Sequence, residues 1–233
     1  MIRKYIPNTI TSMNLLSGIF GVVAAYEGDF RMALIFVLLS GVFDFFDGLA
    51  ARLLHATSPI GKELDSLADM VSFGLVPAMT AFTMVRAATD LVWIPYLCWL
   101  MAAFAALRLA NFNIDERQAT SFIGLATPAN AIFWNGLAYA EFHFVMQPWV
   151  ILTLVGVSCI LLVCPLPMFS LKFKSLRWSD NAWQYIFLVG AVILLAVWRL
   201  QAFAFIIVWY VLLAIVRQIL VSRHINSNCT KKE

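Results

Sequence analysis

A chain of 233 residues that is 62% hydrophobic and only 12% charged, with a mean hydropathy of +0.86, is not an ordinary water-soluble domain, which carries about twice that charge share. So much apolar surface exceeds what a core of this size can enclose, so the bilayer must act as part of the solvent. The net charge of +3 comes without any basic block interleaved with aromatics, which excludes nucleic acid as an expected partner.

A membrane helix needs ~20 mostly apolar residues, and eight runs are candidates. Thr9–Tyr26 follows a short, basic, amphipathic start, Met1–Asn8, with no small-residue cleavage site, so no cleavable signal peptide is expected. Arg31–Leu54 and Lys62–Val85 come next, joined by a short connection from Leu53 to Ile60, and Leu91–Phe112 is the fourth. Thr127–Phe142 and Pro148–Val163 are shorter and separated only by His143–Gln147, the spacing of a tight helical hairpin. Pro165–Asn181 carries Lys172, Lys174 and Arg177 and reads as a cytoplasmic loop whose basic residues meet lipid headgroups. Ala182–Trp198 and Gln201–Val221 close the series across a very short turn. Six helices plus one long re-entrant hairpin is the alternative there.

Charge placement orients these runs. With the N-terminus inside, the inner segments hold Arg3, Lys4, Arg52, Lys62, Arg108, Arg117, Lys172, Lys174, Arg177, Arg217, Arg223, Lys231 and Lys232, and the outer ones only Arg31, Arg86 and Arg199. Thirteen against three is a strong positive-inside bias. The expected fold is therefore all-α: a polytopic transmembrane bundle of eight helices, forming one membrane domain over 1–233 with both termini cytoplasmic. The four cysteines, Cys98, Cys159, Cys164 and Cys229, form no CxxC pair and read as small apolar filler.

The most informative residues are aspartates. Asp44 and Asp47 are three apart and share one helix face, and Asp65 and Asp69 are four apart and share a face of the next helix. The short connection makes these helices antiparallel neighbours, so four carboxylates can converge. Each ionised aspartate near the membrane core costs about 2.5–3.5 kcal/mol on insertion scales, and the four repel one another. One or two divalent cations with hard oxygen ligands, Mg²⁺ or Mn²⁺, resolve both problems.

Neighbouring residues point to a phosphate-containing ligand. Gly48 and Ala51 leave room beside the aspartates, and Arg52 offers a planar fork of donors. Ser58 and Pro59 make a helix start, which puts Gly61 in a first turn where free N–H groups favour an anion. His55 is read as an incidental loop residue, Glu63 as solvated on another face, and His143 as lying on the outer side.

Together these residues form the pattern D-x2-D-G-x2-A-R-x8-G-x3-D-x3-D, spanning 44–69. This is the signature of the CDP-alcohol phosphotransferases, and the chain resembles that family without a departure in the motif. Pro7–Gly18, Asp65–Ala78, Arg108–Asn113 and Gly124–Asn130 are similar to its phosphatidylserine-forming branch, although the branch often carries a second arginine where this chain has Ala110 and Asn111. The resemblance implies a six-helix core, here 1–164, with 182–221 as an additional C-terminal helix pair. It also implies transfer of the phosphatidyl group from CDP-diacylglycerol to L-serine with release of CMP, in a homodimer of the cytoplasmic membrane with its active site facing the cytoplasm.

The site residues expected on that basis are as follows. Asp44, Asp47, Asp65 and Asp69 hold two metal ions, and Asp69 is also the general base. Gly48, Ala51, Arg52, Gly61, Asn8 and Thr11 hold the CDP moiety. Ser72, Arg108 and Asn111 form the acceptor pocket. For Asn8 and Thr11 ordinary helix capping is the competing reading, and for Arg108 it is positive-inside anchoring of the fourth helix. Two alternatives remain at this point. One is the same chemistry with glycerol phosphate, inositol, inositol phosphate or choline as acceptor. The other, a divalent-cation transporter, needs a ladder of acids across the membrane, whereas Glu27, Asp29 and Asp90 sit at the outer ends.

Overall fold

The computed structural model describes residues 5–114, 122–141, 147–168 and 178–229. Arg117, His143 and the basic trio Lys172, Lys174 and Arg177 lie outside the described residues, as do the charges of both chain ends.

The described chain is helical almost throughout. The helices are α1 (Tyr5–Glu27), α2 (Phe30–Leu53), α3 (Pro59–Asp69), α4 (Val76–Ala88), α5 (Trp99–Ile114), α6 (Thr127–Ala140), α7 (Pro148–Val163), α8 (Trp178–Trp198) and α9 (Ala202–Cys229). Among the described residues, five stretches are long and apolar enough to cross a membrane: Tyr5–Glu27, Phe30–Leu53, Pro59–Ala88, Ile94–Ile114 and Asn181–Leu220. That is fewer than the eight runs read from the sequence. The 16 residues of α7 and the 14 of α6 fall short of a full span, since a helix rises 1.5 Å per residue against a hydrocarbon core of about 30 Å. The last stretch doubles back at Arg199–Gln201, where Arg199 takes a positive φ of 51°. Trp198 packs on Phe205, and Phe187 on Tyr210, so α8 and α9 form a hairpin.

Local sequence explains the helix boundaries that place the site. Gly28, at φ 82°, turns the chain between α1 and α2, and Asp29 caps α2 by accepting the N–H of Met32 at 2.9 Å. Ser58 caps α3 by accepting the N–H of Gly61 at 3.1 Å, with Pro59 in the first turn. Between α3 and α4 the helix does not stop. It widens into a π-helical turn, Met70–Leu75. Pro77, at the start of α4, has no N–H to give, and its ring would clash with the carbonyl four residues back in a regular helix. The wider turn accommodates it.

α1 packs along α2 and also against α3 and the π turn, while α6 packs on α2 and α4. The apolar core lies between α4, α5, α6 and α7, around Phe82, Met101, Trp134 and Ile151. Cys98 and Cys159 fill space in it as free thiols, as expected. Large apolar side chains such as Leu16 and Phe20 on α1 and Ile193 and Val197 on α8 face outward, where lipid would cover them.

The all-α expectation holds, and two details go beyond it. Phe122–Ile123 pairs antiparallel with Pro167–Met168, tying the chain before α6 to the chain after α7. Next to it Gly124 sits at φ 74°, where an added Cβ would lie 2.8 Å from the carbonyl oxygen of Leu162. In addition, α9 runs to Cys229 rather than ending at Val221. The polar residues from Arg223 onward end the apolar run without ending the helix.

Candidate active site: a carboxylate cluster beside a cavity

α2 and α3 both pack against α1, which brings the second half of α2 near α3. There Asp44, Asp47 and Asp65 each place a carboxylate oxygen within 4.8 Å of the others. Asp47 is buried, and its Oδ2 and Oδ1 of Asp65 have no hydrogen-bond partner among the described residues. Anionic oxygens held this close, out of water and without donors, suit a hard divalent cation.

Asp69 does not join this trio. One turn further along α3, it is held by Asn14 of α1, whose Nδ2 donates to Asp69 Oδ1 at 3.2 Å. Asn14 is fully buried, and its Oδ1 and backbone carbonyl both lie within reach of the Ser72 hydroxyl, at 2.8 and 3.0 Å. Ser40 also donates to the Asn14 carbonyl, at 3.3 Å. One asparagine thus joins α1 to α2, to the π turn and to Asp69. Close approach of the helices makes this possible, since a Cβ on Gly18 would stand 2.9 Å from Ser72 Cα.

Beside the trio opens a cavity of about 530 Å³. Asn8 and Thr11 of α1, Gly48 and Ala51 of α2 and Gly61 of α3 all line it, together with Asp47 and Asp65. The remaining wall is the connection 56–59, with Lys62 and Pro7. At Gly48 nothing lies within 4 Å of where a Cβ would be, so the glycine faces open space. The cavity therefore joins five of the six residues expected to hold CDP to two of the four aspartates.

Some expected residues behave differently. Arg52 is exposed and is not among the residues lining the cavity, and its Nε donates to the Gly48 carbonyl at 3.0 Å. The Gly61 N–H, expected to be free for an anion, is taken by the Ser58 cap. The Ser72 hydroxyl is engaged with Asn14. Arg108 is buried, with its Nε unpartnered among the described residues, whereas Asn111 is exposed.

Sequence reasoning passed over two residues. Lys62 brings an ammonium to the cavity, where its Nζ reaches the Asn113 carbonyl at 3.1 Å. Asn14 lies within the stretch Pro7–Gly18, with no role expected for it. A fully polar side chain inside an apolar helix, on the face shared with Ser17, Gly18 and Gly21, was the available signal.

The family model described as CDP-alcohol phosphatidyltransferase matches residues 4–168, more than half of the chain. The chain is similar to a Bacillus subtilis protein named CDP-diacylglycerol–serine O-phosphatidyltransferase, 39% identical over 126 residues, which is 54% of this chain and 70% of that protein. Proteins of the same name from Mycobacterium tuberculosis and Saccharomyces cerevisiae are 30% and 34% identical. Those matches cover 71% and 60% of this chain, and 61% and 55% of the relatives' lengths. The segment that builds the carboxylate trio and the cavity beside it is spanned from end to end by the family model, and this chain belongs to the CDP-alcohol phosphatidyltransferase family.

Proposed function

We propose that this protein transfers the phosphatidyl group of CDP-diacylglycerol to the hydroxyl of L-serine, giving phosphatidylserine and CMP. The observation that carries the proposal is the convergence of Asp44, Asp47 and Asp65, two of which, Asp47 and Asp65, also line a cavity with Asn8, Thr11, Gly48, Ala51 and Gly61. The relatives' names supply the donor and the acceptor.

In this reading the cavity takes the CDP moiety, with Lys62 near its phosphates and Arg52 at its rim. Asp44, Asp47, Asp65 and Asp69 hold Mg²⁺ or Mn²⁺, and the unpartnered oxygens of Asp47 and Asp65 fit such a cation. When bound, the metal neutralises negative charge on the attacking and leaving oxygens of an in-line displacement. Asp69 takes the proton of the serine hydroxyl. Its bond from Asn14 leaves the second carboxylate oxygen available and fixes the carboxylate's direction. The serine oxygen then bonds to the lipid-side phosphorus as the bond from that phosphorus to the CMP oxygen breaks.

The active site faces the cytoplasm in this proposal. Eight membrane-crossing or membrane-embedded helices have both termini inside, on the strength of the thirteen-to-three charge bias. The core is 1–164, with 182–221 as an appended hairpin, in a homodimer of the cytoplasmic membrane.

A panel of radiolabelled acceptors, with CDP-diacylglycerol, Mn²⁺ or Mg²⁺ and CMP release as readout, tests the proposal. Incorporation of serine alone is expected. Incorporation of glycerol phosphate, inositol, inositol phosphate or choline in its place would assign another acceptor to the same chemistry.

A further inference from the structure

The bundle carries another cavity, at the end opposite the carboxylates. From Asp69 to Arg86 the chain stays helical, through the π turn and α4. At 1.5 Å per residue that path covers roughly 25 Å, close to the thickness of the hydrocarbon layer. Arg86 therefore stands at the far membrane interface when the carboxylates stand at the near one. There its guanidinium lies over the ring of Tyr26, at the end of α1, 5.5 Å from the ring centre. Tyr26, Trp93 and Tyr96 are all exposed at this level, the place that amphipathic aromatic rings take between lipid and water.

The cavity has a volume of about 330 Å³. Arg86, Thr89, Asp90 and Tyr96 line it, together with Phe82 and Pro95. It thus holds one cation and one anion, and they do not pair. Among the described residues Arg86 has the Tyr26 ring as its partner, and Asp90 has neither a hydrogen bond nor an ion pair. Thr89 Oγ1 accepts the Leu91 N–H at 3.3 Å, which leaves the hydroxyl hydrogen to donate. Tyr96 adds an aromatic ring, held edge-on to Phe82 at 5.4 Å.

A water-facing arginine in the last turn of a helix is ordinary. An arginine steadied by a ring, beside a free hydroxyl hydrogen and an unpaired carboxylate, suits a ligand that carries both signs. Its source is the bilayer. Leu91, Val92 and Trp93, at the same turn, are 49%, 80% and 63% exposed, and apolar surface this bare at an interface is covered by lipid.

We propose that this cavity binds the headgroup of a zwitterionic phospholipid bearing a primary ammonium, taken from the leaflet opposite the carboxylates. Arg86 and the Thr89 hydroxyl take the phosphate. Asp90 takes the ammonium, with the Tyr96 ring beside it. A headgroup that ends in hydroxyls has no charge for Asp90 and brings its phosphate near a like charge, so it binds less tightly. The inference stands apart from the phosphatidyl-transfer reading, because none of these residues takes part in that site.

Native mass spectrometry of the detergent-purified chain tests it, with phosphatidylethanolamine or phosphatidylglycerol of identical acyl chains added at matched concentrations. Wild-type protein should hold phosphatidylethanolamine at least fivefold more tightly than phosphatidylglycerol. Arg86→Gln should weaken phosphatidylethanolamine binding at least tenfold. Asp90→Asn should bring the two lipids within twofold of each other, and Asp90→Lys should reverse their order. Both side chains are exposed, so the variants should melt as wild type does, and a reversed preference cannot come from unfolding. Wild-type protein that holds the two lipids equally overturns the proposal. So do Asp90 variants that keep the wild-type preference, or Arg86→Gln that binds phosphatidylethanolamine as wild type does.

Discussion

Replacing Asn14 with alanine separates the metal cluster from the group proposed to take the proton. Asn14 is 0% exposed and gives one hydrogen bond to Asp69, at 3.2 Å. It also accepts from Ser72 through its side chain, but Ser72 reaches the Asn14 backbone carbonyl as well, at 3.0 Å. The alanine variant therefore leaves Ser72 satisfied, and the loss falls on Asp69. A hydrogen bond to a charged group contributes about 1.5–3 kcal/mol net. If that bond holds the carboxylate in place through the transition state, the loss lowers kcat by roughly tenfold to a hundredfold, at about 1.4 kcal/mol per factor of ten. The residues lining the cavity are untouched, so the KM for CDP-diacylglycerol should stay within about threefold of wild type. Initial rates of CMP release by detergent-purified protein, across serine and donor concentrations, give both quantities. A folded Asn14→Ala with kcat within twofold of wild type would refute the positioning argument. A change in donor KM alone would do the same.

Two further substitutions probe the packing and the cavity. Gly18→Leu drives a side chain into the backbone of the π turn, which stands 2.9 Å from the first added atom. Overpacking of this kind costs about 1–3 kcal/mol, so a melting temperature in detergent several degrees below wild type is expected, and unchanged melting would contradict the close approach. Gly48→Leu has the opposite signature, because its side chain enters open space on the cavity wall. Exchanging glycine for leucine inside a helix gains up to about 1 kcal/mol. The variant should melt at or above wild type yet lose binding of cytidine diphosphate by calorimetry, and retained binding would place the nucleotide elsewhere.

How much could be read from the sequence depended on the range of the interaction. Apolar runs located α2 and α7 to within a residue or two, because hydrocarbon burial and helix length act over the same stretch. They located α9 poorly at its end, where a helix continues after hydropathy stops. The aspartate convergence was legible from i,i+3 and i,i+4 spacing and one short connection, although only three of the four carboxylates meet. The exception, Asp69, is held by a residue 55 positions away, and such a pairing leaves no local pattern. The π turn was equally hidden, since one added residue per turn shifts periodicity less than a sequence window resolves. Gly61 shows how a correct local rule can mislead. Ser58 was rightly read as a cap, and the cap takes the N–H that had been expected to meet an anion.

Binding of Mn²⁺ to the purified chain in detergent, followed by electron paramagnetic resonance with and without cytidine diphosphate, tests most directly whether the clustered carboxylates exist to hold cations. Saturable binding is expected in wild-type protein, weakened at least tenfold in Asp47→Asn and in Asp65→Asn. Wild-type protein with no saturable binding even when the nucleotide is present, or two asparagine variants that bind as wild type does, would contradict it.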